Sequence, residues 1–260
     1  MTDLRDPWRT LSERTPARIA LGRAGASLPT GEVLRFSLAH AQARDAVHAP
    51  LALEELKKGV EEVFGPALVV ESQAVDRSLY LRRPDLGRQL AEPGRQMLRS
   101  ARTDGADLAI VIGDGLSARA VNEHAVSLLS ALKPRLDALQ LNLATPVIAL
   151  GARVALGDEI GALLGARAVA MLIGERPGLS SPDSLGVYFT YAPQTGRTDA
   201  ERNCISNIRR EGLAYDPAAF KLAWIVREAL RRELSGVDLK DDSDKLLEAG
   251  NAPPVLLPER

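Results

Sequence analysis

From residue 66 onward, short and almost uninterrupted apolar runs alternate with longer stretches whose apolar residues recur every three or four positions. The runs are residues 67–70, 107–112, 146–150 and 168–173. Each ends in glycine or a polar turn and hands over to a helical pattern. Strands buried on both faces of a parallel sheet, with helices between them, read in this way. Residues 117–136 set Val121, Leu128, Leu129 and Leu132 along one side of a helix. Residues 186–191 are a fifth strand candidate. Asp216-Pro217 opens a closing helix that runs through Trp224, Val226 and Leu230.

Residues 1–65 read as helical. Pro16 suits a first helical turn, and Gly22 and Gly25 interrupt the apolar stretch begun by Ile19 and Leu21. Thr30 is placed to cap a second helix, with Val33, Leu34, Leu38, Ala41 and Ala46 on one face. Leu53, Leu56, Val60, Val63 and Phe64 form a third, stopped by Gly65-Pro66. The expected organisation is a helical N-terminal part (1–65), an α/β part with a parallel sheet and flanking helices (66–236), and a C-terminal tail (237–260). With Asp241-Asp242 and Pro253-Pro254, the tail reads as loosely held or dependent on a partner.

Composition narrows the function. The chain has 260 residues, 33 Lys+Arg against 34 Asp+Glu, and a net charge of -1. This balance disfavours general nucleic-acid binding, which calls for a strongly basic face. No run approaches the ~20 apolar residues that span a bilayer, and the first residues lack the apolar core of a secretory signal. A single cysteine, Cys204, excludes an internal disulfide framework and a zinc cluster of several thiolates. A soluble intracellular protein is expected. Only six of the 33 basic residues are Lys, and the planar fork of Arg suits carboxylates, phosphates and amide-rich ligands.

Ligands of open parallel sheets bind beyond the carboxyl ends of the strands. The residues just after each run therefore form a rim: 113–117, 151–154, 174–178 and 201–207, carrying Asp114, Arg153, Glu175, Arg176, Arg202 and Asn203. Gly113-x-Gly115 alone is a weak dinucleotide signal, because Ala118 takes the third glycine position and no acidic residue follows a strand about 20 positions on. His40, His48 and His124 show no metal-binding spacing. Cys204 is read as a small packing residue or as a nucleophile without a sequence-near base. The rim is built to bind rather than to react, and no residue is expected to be catalytic or to hold a metal.

Four segments carry a specific resemblance: 80–88 (Tyr-Leu-Arg-Arg-Pro-Asp-Leu-Gly-Arg), 113–118 (Gly-Asp-Gly-Leu-Ser-Ala), 174–186 (Gly-Glu-Arg-Pro-Gly-Leu-Ser-Ser-Pro-Asp-Ser-Leu-Gly) and 201–208 (Glu-Arg-Asn-Cys-Ile-Ser-Asn-Ile). Together, and in this order, they resemble the small subunit of ethanolamine ammonia-lyase over about residues 7 to 236. The resemblance implies a Rossmann-like sheet domain behind a helical N-terminal domain. It also implies an adenosylcobalamin-dependent lyase that turns ethanolamine into acetaldehyde and ammonia by a radical route. In the family a large barrel subunit carries the substrate, and cobalamin lies between the two subunits. Inactivity alone and a hetero-oligomer with the large subunit are therefore implied, with neither nucleic acid nor membrane as a partner.

The implied cofactor contacts fall on Val154, Glu175 and Cys204. The chain has no Asp-x-His-x-x-Gly segment, in keeping with a family that leaves the cofactor's own benzimidazole on cobalt. Members packaged in a bacterial microcompartment often carry a longer N-terminal extension. Here the match begins almost at Met1, so a cytoplasmic enzyme is expected. The rival readings are a stand-alone cobalamin- or nucleotide-binding protein and an independent dehydrogenase.

Overall fold

A computed structural model of the chain describes residues 7–15 and 17–244. It is a mixed α/β structure. In chain order the elements are α1 (Pro7–Ser12), α2 (Thr30–His48), α3 (Leu53–Phe64), β1 (Leu68–Glu71), α4 (Arg77–Arg82), α5 (Glu92–Ser100), β2 (Leu108–Gly113) and α6 (Ala118–Ala138). There follow β3 (Val147–Leu150), α7 (Leu156–Leu164), β4 (Ala168–Gly174), β5 (Leu185–Tyr191), β6 (Arg202–Ile208) and α8 (Tyr215–Arg232).

The six strands form one sheet in the order β1-β3-β2-β4-β5-β6. The four apolar runs are its four parallel strands, β1 to β4. Their residues alternate between two cores, as the two-residue period of a strand requires. Leu108, Ile110 and Ile112 of β2 face the side covered by α3, α6 and α8. Ala109 and Val111 face the side covered by α5 and α7. Each fully buried Leu or Ile contributes about 1.5–3 kcal/mol, and this sandwich concentrates most of them.

The expected parallel sheet holds for β1 to β4 and not for β5 and β6. β5 runs antiparallel to β4, and β6 antiparallel to β5. Residues 175–184 and 192–201 contain no α-helix, and a parallel return needs a crossover of a dozen or more residues, usually helical. The chain therefore doubles back. The rim segment 201–207 falls for the most part in the edge strand β6, so Cys204 lies within a strand.

The helical reading of the N-terminal part holds for α2 and α3, whereas residues 17–29 form no helix. Thr30 does not cap α2. Pro29 occupies that position without a side-chain bond, and Thr30 is the first helical residue. Leu56 and Val60 of α3 join the same core as the sheet. Of α2, only Ala39 and Ala46 are buried. Pro16 lies outside the described residues.

The tail is not loosely held up to its last described residue. Leu239 and Ser243 are buried, the Asn203 side-chain amide donates to the Gly236 and Leu239 carbonyls, and Lys221 pairs with Asp241 and Asp244. Pro253-Pro254 lies outside the described residues.

Candidate functional site

Beyond the carboxyl ends of β2, β3 and β4 lies a cleft of about 690 Å³. Tyr80, Arg153, Val154, Glu175, Tyr188, Ser206 and Asn207 are among the residues that line it. Its floor is the turn after β2. Gly115 takes a φ of +59°, and a side chain there or at Gly174 would overlap a facing backbone carbonyl. The Leu116 amide donates to the Gly174 carbonyl at 2.9 Å. Gly115 and Gly174 thus let the end of β2 close onto the end of β4, and a Cβ at Gly113 would overlap the Met171 and Ala152 side chains, so packing explains Gly113-x-Gly115 without a pyrophosphate.

Asp114 steadies this floor. Its Oδ1 accepts from the Gly115 and Ala152 amides, each at 2.9 Å. Burial raises its carboxyl above the ordinary range, and those same backbone donors and Arg77 act against the rise. Ser117 caps α6 by accepting from the Ala120 amide at 3.2 Å. Its hydroxyl donates to the Pro182 carbonyl at 2.9 Å, fixing the loop between β4 and β5 that supplies Ser180, Ser181 and Ser184 to the cleft.

Glu175 is the best-held acidic group of the wall. Its carboxylate accepts from the Ser184 hydroxyl at 2.5 Å, the Ser206 hydroxyl at 2.7 Å and the Asn207 amide at 3.2 Å. A carboxylate offers about four lone-pair sites, so three protein donors fix its orientation and leave room for a donor from a ligand. A Cβ on Gly186 would come within 2.8 Å of its Oε1, so this glycine is what gives the carboxylate its place.

Arg153, Arg176 and Arg209 bring positive charge to the cleft. The guanidinium groups of Arg77 and Arg153 lie 4.6 and 4.1 Å from the centre of the Tyr80 ring. Its hydroxyl donates to the Ala152 carbonyl at 3.0 Å. Burial lifts the phenol to about 12, and burial lowers Arg153. Arg153 donates to the Tyr80 carbonyl at 3.0 Å, while its buried Nε has no partner in the protein.

Of the three residues singled out by resemblance, Val154 and Glu175 line the cleft. Cys204 pairs across the strands with Tyr188, which lines it. Cys204 is exposed on the edge strand, yet desolvation by its neighbours raises its thiol pKa, the Tyr188 hydrogen bond works in the opposite sense, and the Glu175 charge adds to the rise. That is the reverse of a reactive thiolate.

Sequence reasoning missed Tyr188, Ser184 and Ser206. Each acts through a strand pairing that local pattern does not reveal. It also missed the partners of His124, whose ring contacts the Tyr215 hydroxyl at 2.9 Å and Asp183 at 3.4 Å. Asp183 in turn faces Arg209 at 3.6 Å.

A sequence profile of the ethanolamine ammonia-lyase light chain matches residues 5–240. The chain belongs to the ethanolamine ammonia-lyase light-chain family. Similar proteins named ethanolamine ammonia-lyase small subunit include one from Pseudomonas fluorescens (strain Pf0-1), 55% identical over 93% of this chain and 89% of that one. One from Azotobacter vinelandii is 55% identical over 95% and 94% of the two chains. One from Bradyrhizobium diazoefficiens is 56% identical over 92% of each. No described helix is long and apolar enough to cross a membrane.

Proposed function

We propose that this chain is the small subunit of an adenosylcobalamin-dependent ethanolamine ammonia-lyase, active only with its large subunit. The single observation behind the proposal is the cleft at the strand ends, in a chain of this family, with Glu175 held by three donors. The residues fit the cofactor. The rim of a corrinoid carries amide arms that both donate and accept. The wall offers the Glu175 carboxylate, Ser180, Ser181, Ser206 and Asn207, and with them Arg153 with its unsatisfied buried Nε. Clefts of about 300–1,000 Å³ suit a drug-sized ligand. A corrinoid is larger, so this chain covers only part of it and a second chain covers the remainder.

When bound, adenosylcobalamin supplies the radical chemistry that opens the carbon–nitrogen bond of ethanolamine. The residues of this chain bind and orient. Glu175 accepts from an amide arm, Arg153 donates to a carbonyl or phosphate oxygen, and Val154 and Tyr188 present apolar surface that keeps water out. Backbone groups beside Val154 and Cys204 supply the remaining contacts.

The test is co-expression with the large subunit of the same organism. Acetaldehyde should form from ethanolamine only when both chains and adenosylcobalamin are present. Turnover by either chain alone would overturn the proposal, and tight cobalamin binding by this chain alone would favour a carrier. Glu175→Gln should weaken cobalamin binding by the pair by about 1.5–3 kcal/mol, the range for a hydrogen bond to a charged group, with the fold intact by circular dichroism.

A further inference from the structure

Exposed apolar side chains are concentrated in one segment. Eight of the eleven large apolar residues exposed in the structure fall between Trp8 and Leu38: Trp8, Leu11, Ile19, Leu28, Val33, Leu34, Phe36 and Leu38. On the first half of α2, Val33, Leu34, Phe36 and Leu38 are 47 to 65% exposed. A helix forms one turn in 3.6 residues, so successive side chains step by about 100°. These four therefore spread over roughly 200° of its circumference, twice the width of the apolar stripe that seats an ordinary surface helix. Helices are held in proteins mainly by burial of such surface. Among the described residues none of these four is buried, and Phe36 is covered in part by the Arg18 guanidinium, 5.5 Å from its ring centre.

Two features identify the occupant. The arc is too wide for one flat face. A symmetric contact with a second copy would press one patch against itself and leave much of the arc wet. A groove with two walls covers such an arc, and the large subunit of the proposed pair is the chain placed to supply it. The end of α2 is also tied to the cleft. Arg77 Nε donates to the Val47 carbonyl in its last turn, and Arg77 Nη1 donates to the Gly115 carbonyl in the cleft floor, both at 2.7 Å. From Val47 back to Val33 the helix rises about 20 Å at 1.5 Å per residue. A chain that covers the cleft mouth and reaches that far meets the exposed half of α2.

We infer that the first half of α2 is a docking element that inserts into an apolar groove of the large subunit, continuous with the cover that subunit places over the cleft. The inference rests on the proposed small-subunit role, and the experiment separates the two. The wild-type chain and Leu34→Asp/Leu38→Asp are each co-expressed with a tagged large subunit, and a photo-crosslinking amino acid replaces Leu38 in a third sample. Failure of the wild-type pair to assemble or turn over ethanolamine would defeat the small-subunit role itself.

With an active wild-type pair, the double variant should keep its own circular dichroism and melting curve and lose at least tenfold in affinity for the large subunit. The crosslinker should capture that subunit. Equal assembly of the double variant would overturn the inference. Capture of a second small subunit, or a dimer of the isolated chain that only the wild type forms, would overturn it in favour of self-association.

Discussion

The two longest helices, α6 with 21 residues and α2 with 19, are built on opposite terms. α6 is capped by the Ser117 hydroxyl and buries nine residues, among them Val121, Leu128, Leu129 and Leu132, against the sheet and α8. α2 has no side-chain cap, buries only Ala39 and Ala46, and turns its bulky apolar residues outward. Both sequences contain enough apolar residues for a packed helix. The difference lies in where they point. α6 completes a core made by its own chain, whereas the apolar surface of α2 is left uncovered by the described residues.

The sharpest way to break this contrast is to empty the core side. Leu129→Ala, at a position with no exposure, should cost about 2–5 kcal/mol of stability in urea unfolding, the range for a buried Leu→Ala change. Ser117→Ala removes both the cap and the bond to the Pro182 carbonyl. About 1–2 kcal/mol should be lost, together with a looser β4–β5 loop visible as faster amide exchange around Ser184.

Tyr80 stands at the junction, beside the Arg77 that reaches α2 and the Arg153 that lines the cleft. Its folded pKa of about 12 lies above the ordinary value of 10.0. The neutral phenol is therefore the form the fold favours. That stability is fully present below pH 10 and is lost as pH rises from about 10 toward 12. Tyr80→Phe should flatten this alkaline loss, followed by tyrosinate absorbance, and cost about 1 kcal/mol at neutral pH for the hydrogen bond to Ala152. The smallest effect belongs to α2. Leu34→Ala should change the stability of the isolated chain by no more than about 0.5 kcal/mol. A larger loss would mean that α2 is packed within its own chain after all.

The parallel part of the sheet was legible because β2 and β4 are buried on both faces and so read as unbroken apolar runs. β6 was not, because only Arg202, Ile205 and Ile208 of its seven residues are buried. Its strand character comes from pairing with β5. The short α4 carried a readable sign in Asp76, whose carboxylate accepts from the Leu79 amide at 2.7 Å. At the cleft, the strand-end rule located Val154 and Glu175. It could not show that Glu175 is gripped by donors 9 to 32 residues further on. Nor could periodicity tell which way the face of α2 would turn, since an outward stripe and an inward one have the same spacing.

The last described residues act as a selvedge for the sheet. Strand β6 would otherwise end it in a row of open amides and carbonyls, the feature that lets one molecule stitch onto the next. Ser235, bonded to the Tyr191 amide and the Glu201 carbonyl, and the turn at Gly236, bonded to the Asn203 side chain, sit at the start of that border. Trimming the chain back to Leu234 should leave the cleft residues in place and turn a well-behaved protein into one that forms thioflavin-positive fibres.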